Sequence, residues 1–327
     1  MGNDASVIIE TFRFYARRMD YSSASRSPGP VPAALPETVT DPAEVRAVLN
    51  DPGYRVPDPG RGAPPGTLLW LRQNVARFST GADHARRRSL AGDLLRPIDP
   101  GLLRARARLE TGAVIDAAGG SPFDVMAVVA RRVPGLVLAS ALGATDPEQV
   151  IGHLGPVAAA YQPGTADPGA ADGSVARLTE LLPGGPGEEL AARIGLLIQA
   201  YDATAGLIGN AVAAGTRPAA RALAVSPVSV QVERALRRDP PVLVTRRVTP
   251  DGRTIALDLT SAGDDPAGHL EFGYGPRACP GAAHACALAE GSVGPLLERC
   301  RRTGAQIAYP APPALHAPVR LEVRAVG

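Results

Sequence analysis

The sequence contains no lysine, so every basic side chain among its 34 is an arginine. Its 32 acidic residues nearly balance them, and the net charge is only +2. A nucleic-acid-binding protein normally carries a clustered positive excess, so this composition argues against that class. Arginine forks suit carboxylates, but a GC-rich genome also favours arginine, and composition does not separate these two causes.

Cysteine is also scarce, with only Cys279, Cys286 and Cys300. An odd number at these spacings matches neither a disulfide framework nor a metal-ligand pattern, which favours a reducing compartment. The first twenty residues lack the basic, apolar and small-residue order of a secretory signal. We therefore expect a cytoplasmic protein.

Long apolar runs are few, and only residues 194–215 would be long enough to cross a bilayer. Asp202 interrupts this run, and an aspartate is costly to bury in lipid. We therefore expect a buried core helix here and no association with a membrane. With 327 residues, of which 45% are hydrophobic, the chain can bury a sizeable core. We predict a single domain over residues 1–327.

Glycine and proline, by contrast, are abundant, with 36 and 33 residues that divide the chain into short segments. Asp41 and Pro42 are typical of a helix start, and the apolar spacing predicts a short amphipathic helix over 41–54. Helical spacing also predicts four further helices, one that begins at 67 and three over 121–143, 188–214 and 227–237. The helix over 121–143 is expected to end or kink at Pro134. Residues 152–187 are predicted as mostly loop, with one short helix near 174–182. A hairpin is predicted over 242–260 and a final strand over 320–327. The fold class is therefore mainly α with small β-sheets.

One segment, FGYGPRACPG at residues 272–281, sets a cysteine among glycines and prolines. Gly275 and Gly281 would let the backbone approach a flat ligand closely, because glycine has no side chain. A helix that begins near Pro280 would direct its positive end at the sulfur of Cys279 and favour the thiolate. Such a thiolate suits an iron at the centre of a porphyrin. The competing interpretation is an inert buried thiol.

This segment resembles the heme-binding loop of the cytochrome P450 family, because Phe272, Gly275, Arg277, Cys279 and Gly281 all stand at that family's spacing. The resemblance extends from about residue 40 to the C-terminus. It implies a shortened cytochrome P450-like fold and a heme b cofactor, iron-protoporphyrin IX. It also implies that Cys279 is the iron ligand and that Arg277 binds a heme propionate.

Two further segments carry the same resemblance. His84 and Arg88 are similar to the family's H-x-x-x-R pair, which binds propionates from one helical face, since residues four apart share a face. The alternative is a solvated, arginine-rich helix. Arg247 matches another propionate-binding arginine, and Arg246 is a stand-in for it. The resemblance therefore implies that His84, Arg88, Arg247 and Arg277 hold the propionates.

The segment that resembles the family's oxygen-activation helix departs from its pattern. Asp202 stands at the acid, but Ala203 occupies the place of the alcohol and Thr204 comes one residue late. A shift of one residue turns a helical side chain by about 100°, so Thr204 need not face the iron unless the helix is distorted. We expect these three residues to line the distal side. A salt bridge from Asp202 to a buried arginine is the alternative to a functional carboxylate.

Other departures concern the support of the heme. The family places a glutamate three residues before a buried arginine, but here Arg234 takes the glutamate's place before Arg237, and Glu233 is one position off. The chain is also shorter than usual members, with a clipped connection between Val248 and Phe272. Pro280 lacks an N–H and cannot donate a hydrogen bond to the sulfur.

The resemblance implies a heme-thiolate enzyme, a monooxygenase or peroxygenase, that oxidises a small, largely apolar molecule in bacterial secondary metabolism. A ferredoxin-type redox partner would supply electrons. Because the distal pattern is altered, use of peroxide or a redox-neutral heme reaction stays open. The rival hypothesis is a catalytically inactive P450-like auxiliary protein that binds and stabilises a glycosyltransferase. The intact cysteine loop favours the enzyme.

Overall fold

The computed structural model describes residues 37–161, 168–216, 226–261, 268–304, 307–309 and 315–326. Among these residues, no helix has both the length and the apolar character needed to cross a bilayer. The predicted strand and hairpin segments lie within the described ranges, apart from Gly327.

The described part of the chain is mainly helical. In chain order the helices are α1 (Pro42–Asn50), α2 (Leu68–Gln73), α3 (Gly81–Leu95), α4 (Pro100–Ala118), α5 (Arg132–Ala141), α6 (Pro147–Tyr161), α7 (Asp172–Leu181), α8 (Glu188–Gly215), α9 (Val228–Arg238) and α10 (Ala282–Arg299). The short 3-10 turns Ala76–Phe78 and Gly275–Arg277 and a π-helical turn at Met126–Ala130 connect some of them. The mainly α class is therefore confirmed.

In the described part of the chain, six short strands form two three-stranded sheets. The strands are β1 (Thr38–Val39), β2 (Phe123–Asp124), β3 (Val244–Val248), β4 (Thr254–Asp258), β5 (Cys300–Arg302) and β6 (Glu322–Ala325). The first sheet has the order β1-β4-β3, with β3 and β4 antiparallel, which confirms the predicted hairpin. The second has the order β2-β6-β5, and β6 is the predicted final strand.

Local signals placed several helices correctly. Asp41 caps α1 by accepting a hydrogen bond from the Glu44 backbone N–H at 2.9 Å, and Pro42 is its first residue. The predicted helices over 188–214 and 227–237 correspond to α8 and α9. The start of a helix can be predicted from the sequence because the capping residue bonds to the first turn of the helix that it precedes.

Two expectations about helices were wrong. The stretch 152–161 is not loop but the second half of α6, which contains Pro156. Apolar residues that α6 buries against its neighbours outweigh the lost backbone hydrogen bond. Pro134 does not end a helix: it lies in the first turn of α5, after a strand and the π-helical turn. A proline is tolerated there because the first turn has no backbone N–H partner to lose.

The long helix α8 runs through the larger of the two hydrophobic clusters. Leu190, Ile194, Leu197, Leu207 and Ile208 of α8 are all at most 2% exposed. Four glycines let neighbours approach it closely, as at Gly209, where an added Cβ would stand 2.6 Å from the Met126 sulfur. The expected buried core helix is therefore observed, and its buried length holds one wall of the site in place.

Candidate active site

A large cavity lies between α8 and the loop that carries Cys279. It has about 2200 Å³ of space free of protein atoms, which includes its open mouth. The part that water-sized molecules can occupy is about 360 Å³, which lies within the roughly 300–1,000 Å³ of typical sites for drug-sized ligands. The walls come from α8, from α3, from β3 and from residues 271–288.

The cysteine loop is held by its own backbone. The Cys279 N–H donates to the Phe272 carbonyl at 2.7 Å, and the Ala278 N–H donates to the Gly275 carbonyl at 3.0 Å. Gly273 has φ 72°, in the left-handed region that favours glycine. The loop therefore presents Cys279 at the cavity wall immediately before α10 begins at Ala282.

The two glycines expected to approach a ligand have different surroundings. Gly281 lines the cavity, whereas Gly275 is not among the lining residues. A Cβ at Gly275 would stand 1.9 Å from the Asn50 side-chain oxygen of α1. Gly275 therefore serves the packing of the loop against α1, and Gly273 is the loop glycine that joins Gly281 at the cavity wall.

The Cys279 side chain is accessible through the cavity although protein surrounds the loop. Burial raises the pKa of the Cys279 thiol above its usual value. The Gly281 backbone N–H and the charge of Arg88 act in the opposite direction and lower this pKa. Pro280 cannot donate a hydrogen bond to the sulfur, so the residue after it does. The helix end alone does not make the free thiol acidic here.

The four side chains expected to bind propionates, His84, Arg88, Arg247 and Arg277, all line the cavity. Arg88 donates to the Ala278 carbonyl at 2.8 Å and so joins α3 to the cysteine loop. Arg277 donates to the Ser79 carbonyl at 2.7 Å. Arg247 is 5% exposed, and its Nε is buried with no hydrogen-bond partner within the described ranges.

Mutual repulsion and burial perturb this group of cations. Burial, with the charges of Arg277 and Arg77, lowers the pKa of Arg247 to about 10. Burial, with the charges of Arg277, Arg88 and Arg247, lowers the pKa of His84 to about 4, so that imidazole is neutral at pH 7. A site that collects unpaired cations at this cost is built for anionic groups.

The opposite wall comes from α8. Ala203 and Thr204 both line the cavity, and α8 is a continuous α-helix at this point. Asp202 is not among the lining residues: its Oδ1 is 3.5 Å from Arg131 Nε. Burial raises the pKa of Asp202, and Arg131 partly offsets this effect. An ion pair is therefore present, as in the alternative for Asp202, but its arginine is partly exposed instead of buried. No bulge is needed to bring Thr204 to the cavity.

The support behind the cysteine loop differs from the pattern that the resemblance implied. Arg237 donates to Glu233 on the same helix face, while Arg234 is exposed. A buried glutamate is present instead at Glu271. Its side chain is 2% exposed, and its Oε2 has no hydrogen-bond partner among the described residues. Burial raises the pKa of Glu271, and the charges of His269 and Arg237 act against it.

Several lining residues were not anticipated from the sequence. Arg77, Gly273, Glu271 and His284 lie at the cavity wall. His284 Nε2 is 3.0 Å from the Ile98 carbonyl and 3.2 Å from the Leu95 carbonyl, so it ties α10 to the end of α3. For Glu271 the sequence offers only its position between the two apolar residues Leu270 and Phe272. For Arg77, no sequence signal distinguishes it from the other 33 arginines.

No sequence model of a protein family matches this chain. No curated protein sequence matches it either.

Solved structures do match it over nearly its whole length. One is P450BioI in complex with an acyl carrier protein ligated to hexadec-9Z-enoic acid, with TM-score 0.77 and 21% identity, covering 98% of this chain and 100% of that one. Another is the cytochrome P450 PksS of the bacillaene polyketide synthase of Bacillus subtilis, with TM-score 0.74 and 16% identity, covering 98% and 97%. A third is a thermophilic cytochrome P450 from Sulfolobus tokodaii, with TM-score 0.73 and 20% identity, covering 96% and 99%. The resemblance seen in the cysteine loop is therefore confirmed at the level of the fold, and this chain has the cytochrome P450 fold.

Proposed function

We propose that this chain binds heme through Cys279 and is a heme-thiolate oxidoreductase, of monooxygenase or peroxygenase type, for a small and largely apolar molecule. The observation that carries the proposal is the position of the Cys279 thiol at a cavity whose wall also holds His84, Arg88, Arg247 and Arg277. Heme b, iron-protoporphyrin IX, has one iron for the thiolate and two carboxylates for the cations. When bound, such a group would supply oxygen chemistry, because the Cys279 thiolate would donate electron density to the iron.

The residues present fit such a group. The buried Nε of Arg247 has no hydrogen-bond partner among the residues that the structure describes, and the neighbouring cations lower each other's pKa. Two carboxylates at this point would satisfy the open donor and remove the repulsion. Burial raises the pKa of the Cys279 thiol in the free protein. A metal ion bound to the sulfur would overcome this effect, because a coordinating thiol is deprotonated.

The chain's own residues define what can happen on the distal side. Ala200, Ala203 and Leu207 form an apolar face that excludes water and would contact an apolar substrate. Thr204 is the hydroxyl that α8 offers to the cavity, and the Asp202 carboxylate is engaged with Arg131 instead of standing beside it. A proton relay needs an acid within reach of the hydroxyl. We infer that proton delivery to dioxygen is poor and that peroxide use or a redox-neutral reaction is favoured.

The partners follow from this proposal. A monooxygenase of this type takes electrons from a ferredoxin-type protein, whereas a peroxygenase needs none. One of the matched structures, PksS, belongs by its name to a polyketide synthase, which supports a role in secondary metabolism. The cytoplasm is the compartment that would supply heme, electrons and a reduced Cys279.

The test is the absorption spectrum of the reduced, carbon monoxide-treated protein after heme is supplied. We expect a thiolate-type Soret band in the wild type. Cys279→Ser should lose this band, while Cys286→Ser, a matched change at a half-buried cysteine in α10, should keep it. If the wild type takes up no heme, the enzyme proposal fails.

The same spectrum addresses the alternative, an inactive auxiliary protein that stabilises a glycosyltransferase. The altered support at Arg234 and Arg237 is the feature that favours it. A protein of that kind has no need for a thiol among unpaired cations at one cavity. Heme uptake with thiolate ligation would exclude a heme-free auxiliary role.

A further inference from the structure

The cavity has far more positive than negative charge in its lining. Among the described residues, six arginines contribute to it, namely Arg77, Arg87, Arg88, Arg246, Arg247 and Arg277, whereas Glu271 is the single acidic residue of the lining. Only Arg87 has a carboxylate partner, Glu188, with Nε 2.8 Å from Oε1. Within the described ranges, no acidic side chain lies within 4 Å of the other five. An unpaired cation facing a low-dielectric cavity is costly, so this excess calls for anions.

The heme of the proposed function accounts for only part of this charge. Its two carboxylates would be held by Arg88, Arg247 and Arg277, with neutral His84 as a further hydrogen-bond partner. Two arginines remain, Arg77 and Arg246. Arg77 stacks on the ring of Phe78, with its guanidinium carbon 5.9 Å from the ring centroid. It stands close enough to Arg247 for its charge to lower the pKa of that guanidinium.

The rest of the lining is apolar. Val75 and Leu138 line the same cavity as the apolar face of α8, to which Leu196 and Leu207 contribute. Phe78 joins this apolar surface to Arg77. A molecule that satisfies both parts has an apolar body and one anionic end.

We propose that the substrate is an amphiphile whose anionic group, a carboxylate or a phosphate, binds Arg77 and Arg246 while its apolar part lies along α8. Planar guanidinium forks pair in a bidentate way with either group. This inference rests on the proposed function, because it assigns the remaining arginines after the heme carboxylates have been placed.

The test compares four probes with the same twelve-carbon chain: dodecanoate, dodecyl phosphate, dodecanol and dodecyltrimethylammonium. Each is titrated into the heme-loaded protein, and the shift of the Soret band gives its Kd. At least one of the two anions should bind roughly tenfold or more tightly than the alcohol, and the ammonium should bind most weakly. The anion with the lower Kd identifies the head group. The preference should weaken at high ionic strength. Equal Kd values for anions and alcohol would overturn the proposal.

Two variants locate the anion. Arg77→Gln and Arg246→Gln should each retain heme, and at least one should bring the anion and alcohol Kd values to within about threefold, with the alcohol Kd unchanged. Arg96→Gln, an exposed arginine paired with Asp93 outside the cavity lining, is the control and should keep the preference. A preference that survives both cavity variants would show that these arginines do not hold the substrate.

Heme content is measured separately, as the pyridine hemochrome. If the protein takes up no heme, the proposed function fails, and isothermal titration of the same four probes still tests the charge preference. Loss of the preference with full heme content would overturn this inference alone.

Discussion

The two walls of the cavity differ in how their polar groups are arranged. On the wall built by α3, β3 and the cysteine loop, residues 190 positions apart in the chain meet, as in the bond between Arg88 and the Ala278 carbonyl. On the wall built by α8, one helix supplies Ala203 and Thr204 from adjacent positions. The first wall collects charge that only a bound anion can balance, whereas the second is mainly apolar and has its acid engaged elsewhere.

This difference separates binding from proton transfer. The cation-rich wall is suited to hold a charged group in one orientation, since several elements contribute donors to it. The α8 wall is suited to exclude water, but it lacks a free acid next to Thr204. Under the proposed function, we therefore expect strong binding of the cofactor and poor activation of dioxygen.

The largest expected effect is on the cation-rich wall. Arg247→Gln removes a buried donor from the proposed propionate site, and hydrogen bonds to charged groups are worth about 1.5–3 kcal/mol. We expect heme to transfer to excess apomyoglobin roughly tenfold or more faster than from the wild type. Arg87→Gln, which changes an arginine already paired with Glu188, is the matched control. Equal transfer rates in both variants would remove the distinction between unpaired and paired cations.

The next effect concerns the α8 wall. Ala203→Thr combined with Arg131→Gln places a hydroxyl directly after an Asp202 carboxylate that is freed from its ion pair, so we expect more product per NADPH consumed, by severalfold, with a surrogate ferredoxin system. Thr204→Ala should change this ratio little, because the Asp202 carboxylate is held by Arg131. Product and peroxide are quantified together. Tight coupling in the wild type that is lost in Thr204→Ala would show that Thr204 works without an adjacent free acid.

A smaller effect is expected in the pH dependence of the heme-free protein. The pKa of His84 is about 4 in the folded chain, against an ordinary value of 6.5. The unfolded chain therefore binds the proton first, and stability is lost as pH falls from about 6.5 to about 4. His84→Gln should lessen this fall in Tm by roughly 2 °C, allowing for solvent screening. Thermal unfolding at pH 7.5, 5.5 and 4.5 provides the measurement. An unchanged fall would mean that neighbouring cations do not depress the pKa of His84.

The smallest expected effect is at Glu271. Burial raises the pKa of its carboxyl, so the stability it contributes is present at low pH and is lost as pH rises through that folded-state pKa. Glu271→Gln removes the charge and keeps the shape. Relative to wild type, the free energy of unfolding of this variant should rise between pH 5 and pH 8, by about 1 kcal/mol or less. Its Tm, measured at both pH values, should rise relative to that of the wild type. A variant that becomes less stable toward pH 8 would show instead that the ionised carboxylate supports Arg237.

Much of the fold could be predicted because its signals are local. Asp41 caps the helix that it precedes, and the apolar spacing of α8 and the turn between β3 and β4 act within a few residues. The cysteine loop is also local, since the Cys279 N–H bonds to a carbonyl seven residues away. The helical stretch 152–161 could not be predicted in this way. The glycines and the proline in it argue against a helix, but burial of its apolar residues in the tertiary structure overrides them.

By itself, the sequence determined the cysteine loop, the long core helix and the residue types that stand near a heme in similar proteins. Only the tertiary structure decided which polar groups have a hydrogen-bond or ion-pair partner and which do not. Asp202 meets Arg131 on another element, Gly275 faces Asn50, and Arg77 joins the unpaired cations of the cavity. The physical reason is that a charge or a glycine acts through its neighbours in space, and those neighbours lie tens to hundreds of residues away along the chain.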